Sequence, residues 1–163
     1  MREMNEPVEI VEFEPKFAAD FGRLNYEWIE KYFVVERHDR EILDHPQEYV
    51  IERGGQIFMA VADGNAVGTV AMIPAGGEVL ELTKMSVAPE FRGRGIANLL
   101  MKASIEYAAA AGARTVFLES HRKLETAITL YRKFGFVETP LDPNSEYARA
   151  DIRMELAIES GNM

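Results

Sequence analysis

The sequence predicts a mixed α/β fold from three observations. Three apolar segments, Ile57 to Ala62, Ala66 to Ile73 and Glu78 to Val87, are separated by the turn signals Asp63-Gly64-Asn65 and Pro74-Ala75-Gly76-Gly77, the pattern of an antiparallel meander. A helical pattern and then a strand, Thr115 to Ser120, follow the third segment, and a crossover of that length favours parallel pairing. The last segment, Tyr147 to Leu156, alternates strictly: Ala148, Ala150, Ile152, Met154 and Leu156 face one way, and Tyr147, Arg149, Asp151, Arg153 and Glu155 the other.

Taken in order, Val8 to Phe13 alternates apolar and acidic residues as a half-buried strand does, and Pro15 suits the first turn of a helix. Phe17, Phe21, Leu24, Trp28 and Tyr32 recur at helical spacing and read as a core-facing stripe, with Asn25, Glu27 and Glu30 off it. A short helix is expected within Arg37 to Asp44, ended by Pro46, and Gly54-Gly55 marks a turn. Beyond the meander, Ile96, Leu99, Leu100, Ala103 and Tyr107 define the buried face of a helix from Gly95 to Ala111, with Gly112 at its C′ position. Leu124 to Phe134 puts Leu124, Ala127, Ile128, Tyr131 and Phe134 on one helical face, and Gly135 stops it. No repeat, low-complexity tract or linker interrupts the chain, so one domain is expected over residues 1–163 with an ordered core of about 6–158 and loose ends at the first half-dozen residues and Gly161-Asn162-Met163.

Composition narrows the function classes. A hydrophobic fraction of 47% with 28% charged residues is that of a chain able to fold around its own core. The 27 acidic against 18 basic residues leave a formal charge of −9, which disfavours nucleic acid and anionic membranes as partners and would steer cations inward. With no cysteine, disulfides, thiolate zinc sites and a cysteine nucleophile are excluded. His38, His45 and His121 show no metal-ligand spacing, so no metal is expected. The N-terminal residues lack an apolar targeting core and no run is long enough to span a bilayer, which points to a cytoplasmic protein.

Chemistry concentrates at Pro89-Glu90-Phe91-Arg92-Gly93-Arg94-Gly95-Ile96-Ala97, between a strand and a helix. At a helix N-terminus the first N–H groups lack intrahelical partners and carry the positive end of the macrodipole, so the turn can hold a pyrophosphate largely by main chain. Gly93 and Gly95 allow close approach and positive φ, and Arg92 and Arg94 can add charge-assisted contacts. The turn carries neither the dinucleotide fingerprint nor the P-loop Lys-Ser/Thr ending.

Arg92-x-x-Gly95-x-Ala97 resembles the acyl-CoA signature of the GCN5-related N-acetyltransferase (GNAT) family. Leu82 to Pro89 looks like the family's fourth strand, and Ala127-Ile128-Thr129-Leu130-Tyr131-Arg132-Lys133-Phe134-Gly135-Phe136 like its closing helix and turn. Leu24 to Phe33 and Tyr147 to Glu155 are similar to a bacterial subgroup, some of whose members are fused to MarR-type regulators. The resemblance implies an acyl-CoA N-acyltransferase fold with a mostly antiparallel sheet of about six to seven strands, about four helices, and a splay between the fourth and fifth strands. Asn is frequent in the family where this chain has Leu124 and His121, so those two residues would meet the pantetheine differently; a loop histidine is the plainer description of His121.

The implied function is transfer of an acetyl group from acetyl-CoA to a primary amine of a small molecule or peptide, by direct attack in a ternary complex. Main-chain groups of Met85 and Val87, flanking Ser86, would pair with the pantetheine in the manner of an added strand, and the Met85 N–H would face the developing oxyanion. Gly93, Arg94, Gly95, Ile96 and Ala97 would seat the pyrophosphate with Arg92. An amine with a pKa near about 10.4 must lose a proton before attack, and Glu81 or Glu119 would accept it, Glu81 being preferred; each could equally be an ordinary exposed strand residue. Tyr131 would protonate the departing sulfur, although its helical face would also let it simply pack. Glu27 and Trp28, in the early helix, are the candidate acceptor contacts; Glu27, Glu30, Glu36 and Asp39 could meet a cation, although solvated helix acids are the ordinary explanation for all four. A homodimer through the last strands or the aromatic first helix is compatible with the pattern, and a non-catalytic acyl-CoA-binding sensor is the alternative function.

Overall fold

A computed structural model describes residues 7–159. Seven strands form one mixed sheet in the order β1-β2-β3-β4-β5-β7-β6. The meander is as the turn signals dictate: β2 (Gln56–Ala62), β3 (Asn65–Pro74) and β4 (Val79–Val87) are consecutive antiparallel neighbours, and β1 (Val8–Glu12) adds antiparallel to β2. The chain leaves β4 through α3 (Ile96–Ala110) and returns as β5 (Thr115–Ser120), parallel to β4. β7 (Ile152–Ala157) lies antiparallel to β5, with β6 (Val137–Thr139) at the edge.

Helices cover both faces, each using one half of the strands' alternation. α1 (Ala18–Tyr32) and α2 (Arg37–Asp44) pack Phe21, Ile29, Ile42 and Leu43 against Ile57, Met59 and Ala71. On the other face α3 and α4 (Glu125–Lys133) pack Ile96, Leu100, Met101 and Tyr131 against Phe58, Val70, Leu82, Leu118 and Met154. The buried stripe of α3 runs Ile96, Leu100, Ser104, Ala108, small toward its far end, with the Ser104 hydroxyl donating to the Leu100 carbonyl. This stripe rests on Gly68 of β3, where a Cβ would meet Ile96 Cγ2, Leu100 Cδ1 and the Ser86 carbonyl oxygen, all at 3.3 Å.

Four expectations are corrected or fall outside view. The final strand starts at Ile152, five residues later than the alternation implies; Tyr147 to Asp151 is a loop, because its side chains and N–H groups are drawn onto α2 and β4. Asn25 is fully buried on α1: its amide donates to the Phe21 carbonyl and its Oδ1 accepts from Trp28 Nε1, which satisfies both ends of the group. Leu99 is exposed, since the sheet takes the Ile96–Leu100–Ser104 line and leaves Leu99 on the flank. The predicted loose ends lie outside the described residues.

The feature that positions the site is the short reach of the parallel ladder. β4 and β5 pair only at Val79–Thr115, Leu80–Val116 and Glu81–Phe117, and then part. On its other side β4 carries a bulge opposite Thr69 to Ala71, where Lys84 adopts φ 58°. A bulge bends the strand and re-aims a side chain.

Candidate active site

The parted strands open a cleft of about 570 Å³, with the β4–α3 turn at one end and α1 with the 147–150 loop at the other. Its floor includes Met85, Ser86 and Val87 of β4 and Leu118 and Glu119 of β5. At the turn, Gly93 and Gly95 take φ 79° and 80°, left-handed values that favour glycine, and a Cβ at either would stand in open space. Gly95 is the N-cap of α3, and the first turn of α3 holds no acidic residue. Lys133 of α4 donates to Asn98 Oδ1 (3.0 Å), bringing a further cation to that helix end. Unpaired N–H groups, a helix dipole and a clear approach make this end fit a pyrophosphate, the anionic part of an acyl-CoA.

The two turn arginines are placed differently. Arg92 lines the cleft, but its Nε donates to the Val87 carbonyl (3.1 Å). Arg94 lies outside the cleft wall, its guanidinium over the Phe91 ring and donating to the Glu90 carbonyl. Ile96 and Ala97 line the cleft at the start of α3. Ser86 is used structurally, its hydroxyl donating to the Leu24 carbonyl and tying β4 to α1.

Tyr131 lines the cleft from α4, its ring 6.1 Å from that of Phe136, and burial alone pushes its phenol up to about 12. Leu124 caps α4 without a side-chain hydrogen bond, its N–H donating to the His121 carbonyl. His121 lines the cleft with both ring nitrogens engaged: Nδ1 accepts from the Lys123 N–H, and Nε2 lies 3.3 Å from Asp151 Oδ2. This is a satisfied loop histidine.

The two glutamates stand one behind the other. Glu119 reaches the cleft, accepts from the Ser145 hydroxyl (2.7 Å) and lies 4.0 Å from Arg153. Glu81 sits at the root of the parting, behind the cleft wall, and its carboxyl is pushed up to about 7, chiefly by burial, with the Glu119 charge adding and Lys84, His38 and Arg153 opposing. Trp28 lines the cleft at the α1 end, edge-on to Phe33. Glu27, one residue earlier and a hundred degrees around α1, is exposed and does not line the cleft.

Sequence reasoning missed a buried ionic cluster at that same end. Lys84 Nζ donates to Asp39 Oδ1 and to the Tyr147 hydroxyl, both at 2.7 Å. Arg149 forks onto Asp39, with 2.8 Å to each oxygen, and the Glu36 N–H also donates to Asp39. Burial works against the Asp39 charge, yet the bonds from Arg149 and Lys84 hold its carboxyl well below the ordinary value. Burial pulls the Lys84 ammonium down while Asp39 pulls it up. Asp39 and Glu36 are thus not solvated helix acids: Asp39 is fully buried, and Glu36 accepts from the Ala148 and Arg149 N–H groups. One signal was present, a lysine where the alternation Leu80, Leu82 calls for an apolar residue. The cleft walls carry Lys84, Arg92, Lys123 and Arg149 against Glu119 and Glu125, a local balance opposite to the net charge of −9. Among the described residues no group of acidic or histidine side chains is arranged to hold a metal ion, and no helix is long and apolar enough to cross a membrane.

The comparisons with known proteins agree with this geometry. N-acetyltransferase 8 of Rattus norvegicus is 32% identical over 104 residues, covering 61% of this chain and 47% of that protein, so the chain spans about half the length of this relative. An acetyltransferase of the GNAT family from Staphylococcus aureus Mu50 superposes with a TM-score of 0.85 at 18% identity, over 94% of this chain and 100% of that one. PaiA N-acetyltransferase from Thermoplasma acidophilum, solved in complex with coenzyme A, gives 0.72 at 19% identity, over 93% and 99%. At such identities these superpositions show a shared fold. The profile of the Acetyltransferase (GNAT) family matches residues 23–136, from α1 through the parted strands and the glycine turn to the end of α4. On that span, this chain belongs to the GNAT family of acetyltransferases.

Proposed function

We propose that the chain transfers an acetyl group from acetyl-CoA to a primary amine of a small molecule or peptide, by direct attack with both substrates bound. The observation that carries this reading is the parting of β4 and β5 beside a helix N-terminus whose glycines are held left-handed, with Tyr131 lining the same cleft. When bound, acetyl-CoA supplies an activated thioester carbonyl. The N–H groups from Gly93 to Ala97 hold its pyrophosphate, and main-chain groups of Met85 and Val87, beyond the last rung between β4 and β5, line the path of the pantetheine.

The amine proton leaves by way of Glu119, which reaches the cleft, toward Glu81, whose carboxyl at about 7 is matched to accepting a proton near neutrality. The Tyr131 hydroxyl donates to the departing sulfur; a phenol held at about 12 stays protonated throughout the neutral range. Trp28 supports an aromatic wall for the acceptor. The runs Leu24–Phe33 and Tyr147–Glu155 support kinship with the bacterial subgroup that includes MarR fusions, and a cytoplasmic setting belongs to the same reading.

The test is free-thiol release from acetyl-CoA in the presence of tyramine, spermidine, L-phenylalanine amide or a short lysine peptide, with the acetylated amine identified by mass spectrometry. Thiol and product appearing together support transfer. Calorimetric binding of coenzyme A without product from any amine would leave a binding module, and no heat at all would remove the coenzyme seat.

A further inference from the structure

Lys84 occupies a left-handed backbone position shared, among the described non-glycine residues, only with Asp63 of a tight turn, and it is buried with its ammonium at the cleft wall. The transfer chemistry above makes no use of it. We propose that Lys84 is a positioning residue that fixes the acceptor end of the cleft, clamping α2 and the 145–151 loop onto the parted strand so that Tyr147 and Arg149 form its wall. This rests on the acetyl-transfer reading.

Three observations carry the assignment. First, Lys84 joins two parts of the chain that lie far apart in sequence and outside the ladder of β4: Asp39, 45 residues earlier, and Tyr147, 63 residues later, whereas the ladder partners of β4 are β3 and β5. Second, the middle of the loop is anchored to α2, while only its ends are tied to β5, by the Ser145 hydroxyl on Glu119 and the Asp151 N–H on the Ser120 carbonyl. Ala148 and Arg149 donate from their main chain to Glu36, and the Arg149 guanidinium forks onto Asp39. Loop and helix form one unit, and the Lys84 ammonium is bonded to both halves of it. Third, the bulge at Lys84 is what turns this side chain toward α2, so the strained backbone and the clamp are one device. None of Asp39, Lys84, Tyr147 and Arg149 belongs to the glycine turn or to α3, where the pyrophosphate is proposed to sit.

The clamp therefore predicts a split between the two substrates. In Lys84→Met an unbranched chain still fills the space, but the Tyr147 hydroxyl loses the ammonium and Asp39 Oδ1 is left with Arg149 alone. Expected are coenzyme A affinity by calorimetry unchanged to within about twofold, a KM for the best-turned-over amine of the panel above raised about tenfold or more, and faster amide hydrogen exchange over 145–151 but not at the start of α3. Tyr147→Phe should raise the same KM, by less. An unaltered acceptor KM or unaltered exchange over 145–151 in a folded Lys84→Met overturns the assignment, as does a parallel loss of coenzyme affinity, which marks a general structural role. Should Lys84→Met not fold, Tyr147→Phe decides alone on the same readouts. If the unaltered chain binds no coenzyme A, the acetyl-transfer reading fails and takes the clamp with it; if it binds and turns over but shows no split, only the clamp fails.

Discussion

Glu81 of β4 and Phe117 of β5 form the last rung of the parallel ladder, and one step beyond them the strands have parted. Burial there, with the Glu119 charge nearby, raises the Glu81 carboxyl against the opposing pull of Lys84.

With the Glu81 carboxyl at about 7, kcat/KM should rise with pH through about 7, and Glu81→Gln should lower the rate and flatten that limb. Stability has the opposite sign. Between the ordinary value of 4.5 and about 7 the folded chain binds more protons than the unfolded one, so stability falls as pH rises across that window, by on the order of 3 kcal/mol. Urea unfolding at pH 5 and pH 8 should show this loss in the unaltered chain and not in Glu81→Gln, leaving the variant the more stable of the two at pH 8.

Tyr131→Phe keeps the ring that packs near Phe136 and removes only the hydroxyl. Thiol release should slow about 100-fold in kcat with the melting temperature nearly unchanged. A loss independent of pH up to about 9 is expected, because a phenol at about 12 does not titrate there. Unchanged turnover would remove Tyr131 as the acid.

Gly95→Ala forces a side chain into φ 80° at the N-cap of α3, at a cost of about 1–2 kcal/mol. Apart from the adjoining backbone, no described protein atom lies within 4 Å of the new methyl, so the fold should survive. Coenzyme A affinity, read by calorimetry, should fall more than the melting temperature suggests, because the methyl stands where the anion approaches.

Asp39→Ala leaves Lys84 and Arg149 as buried cations without their shared carboxylate. Urea unfolding should report a loss of about 3–5 kcal/mol. Adding Lys84→Met to Asp39→Ala should restore part of it, and a double-mutant cycle measures the coupling directly.

The architecture was legible because most of it is written locally. Turn residues bound the meander, and period-two and helical spacings identify β4, α3, β5 and α4 to within a residue or two. The glycine turn was legible for the same reason, since Gly93 and Gly95 act on their own backbone. What stayed hidden depends on pairs far apart in the chain. Nothing near Asp39 announces Lys84 or Arg149, and without those partners an acid on an eight-residue helix reads as solvated. The stretch Tyr147 to Asp151 alternates as a strand does, yet hydrogen bonds to Glu36, Asp39 and Lys84 outweigh that local preference and hold it as a loop. The order of the glutamates was equally out of reach: which one meets the cleft depends on where the ladder ends, a property of two strands together.

Gly68 acts from underneath. Ile96 and Leu100 both bear on it, so any side chain there would work as a fulcrum beneath the opening turns of α3, lifting the helix and swinging its amino end away from the splayed strands. The aim of the opening turn of α3 thus hangs on a hydrogen atom at Gly68, a residue outside the cleft lining.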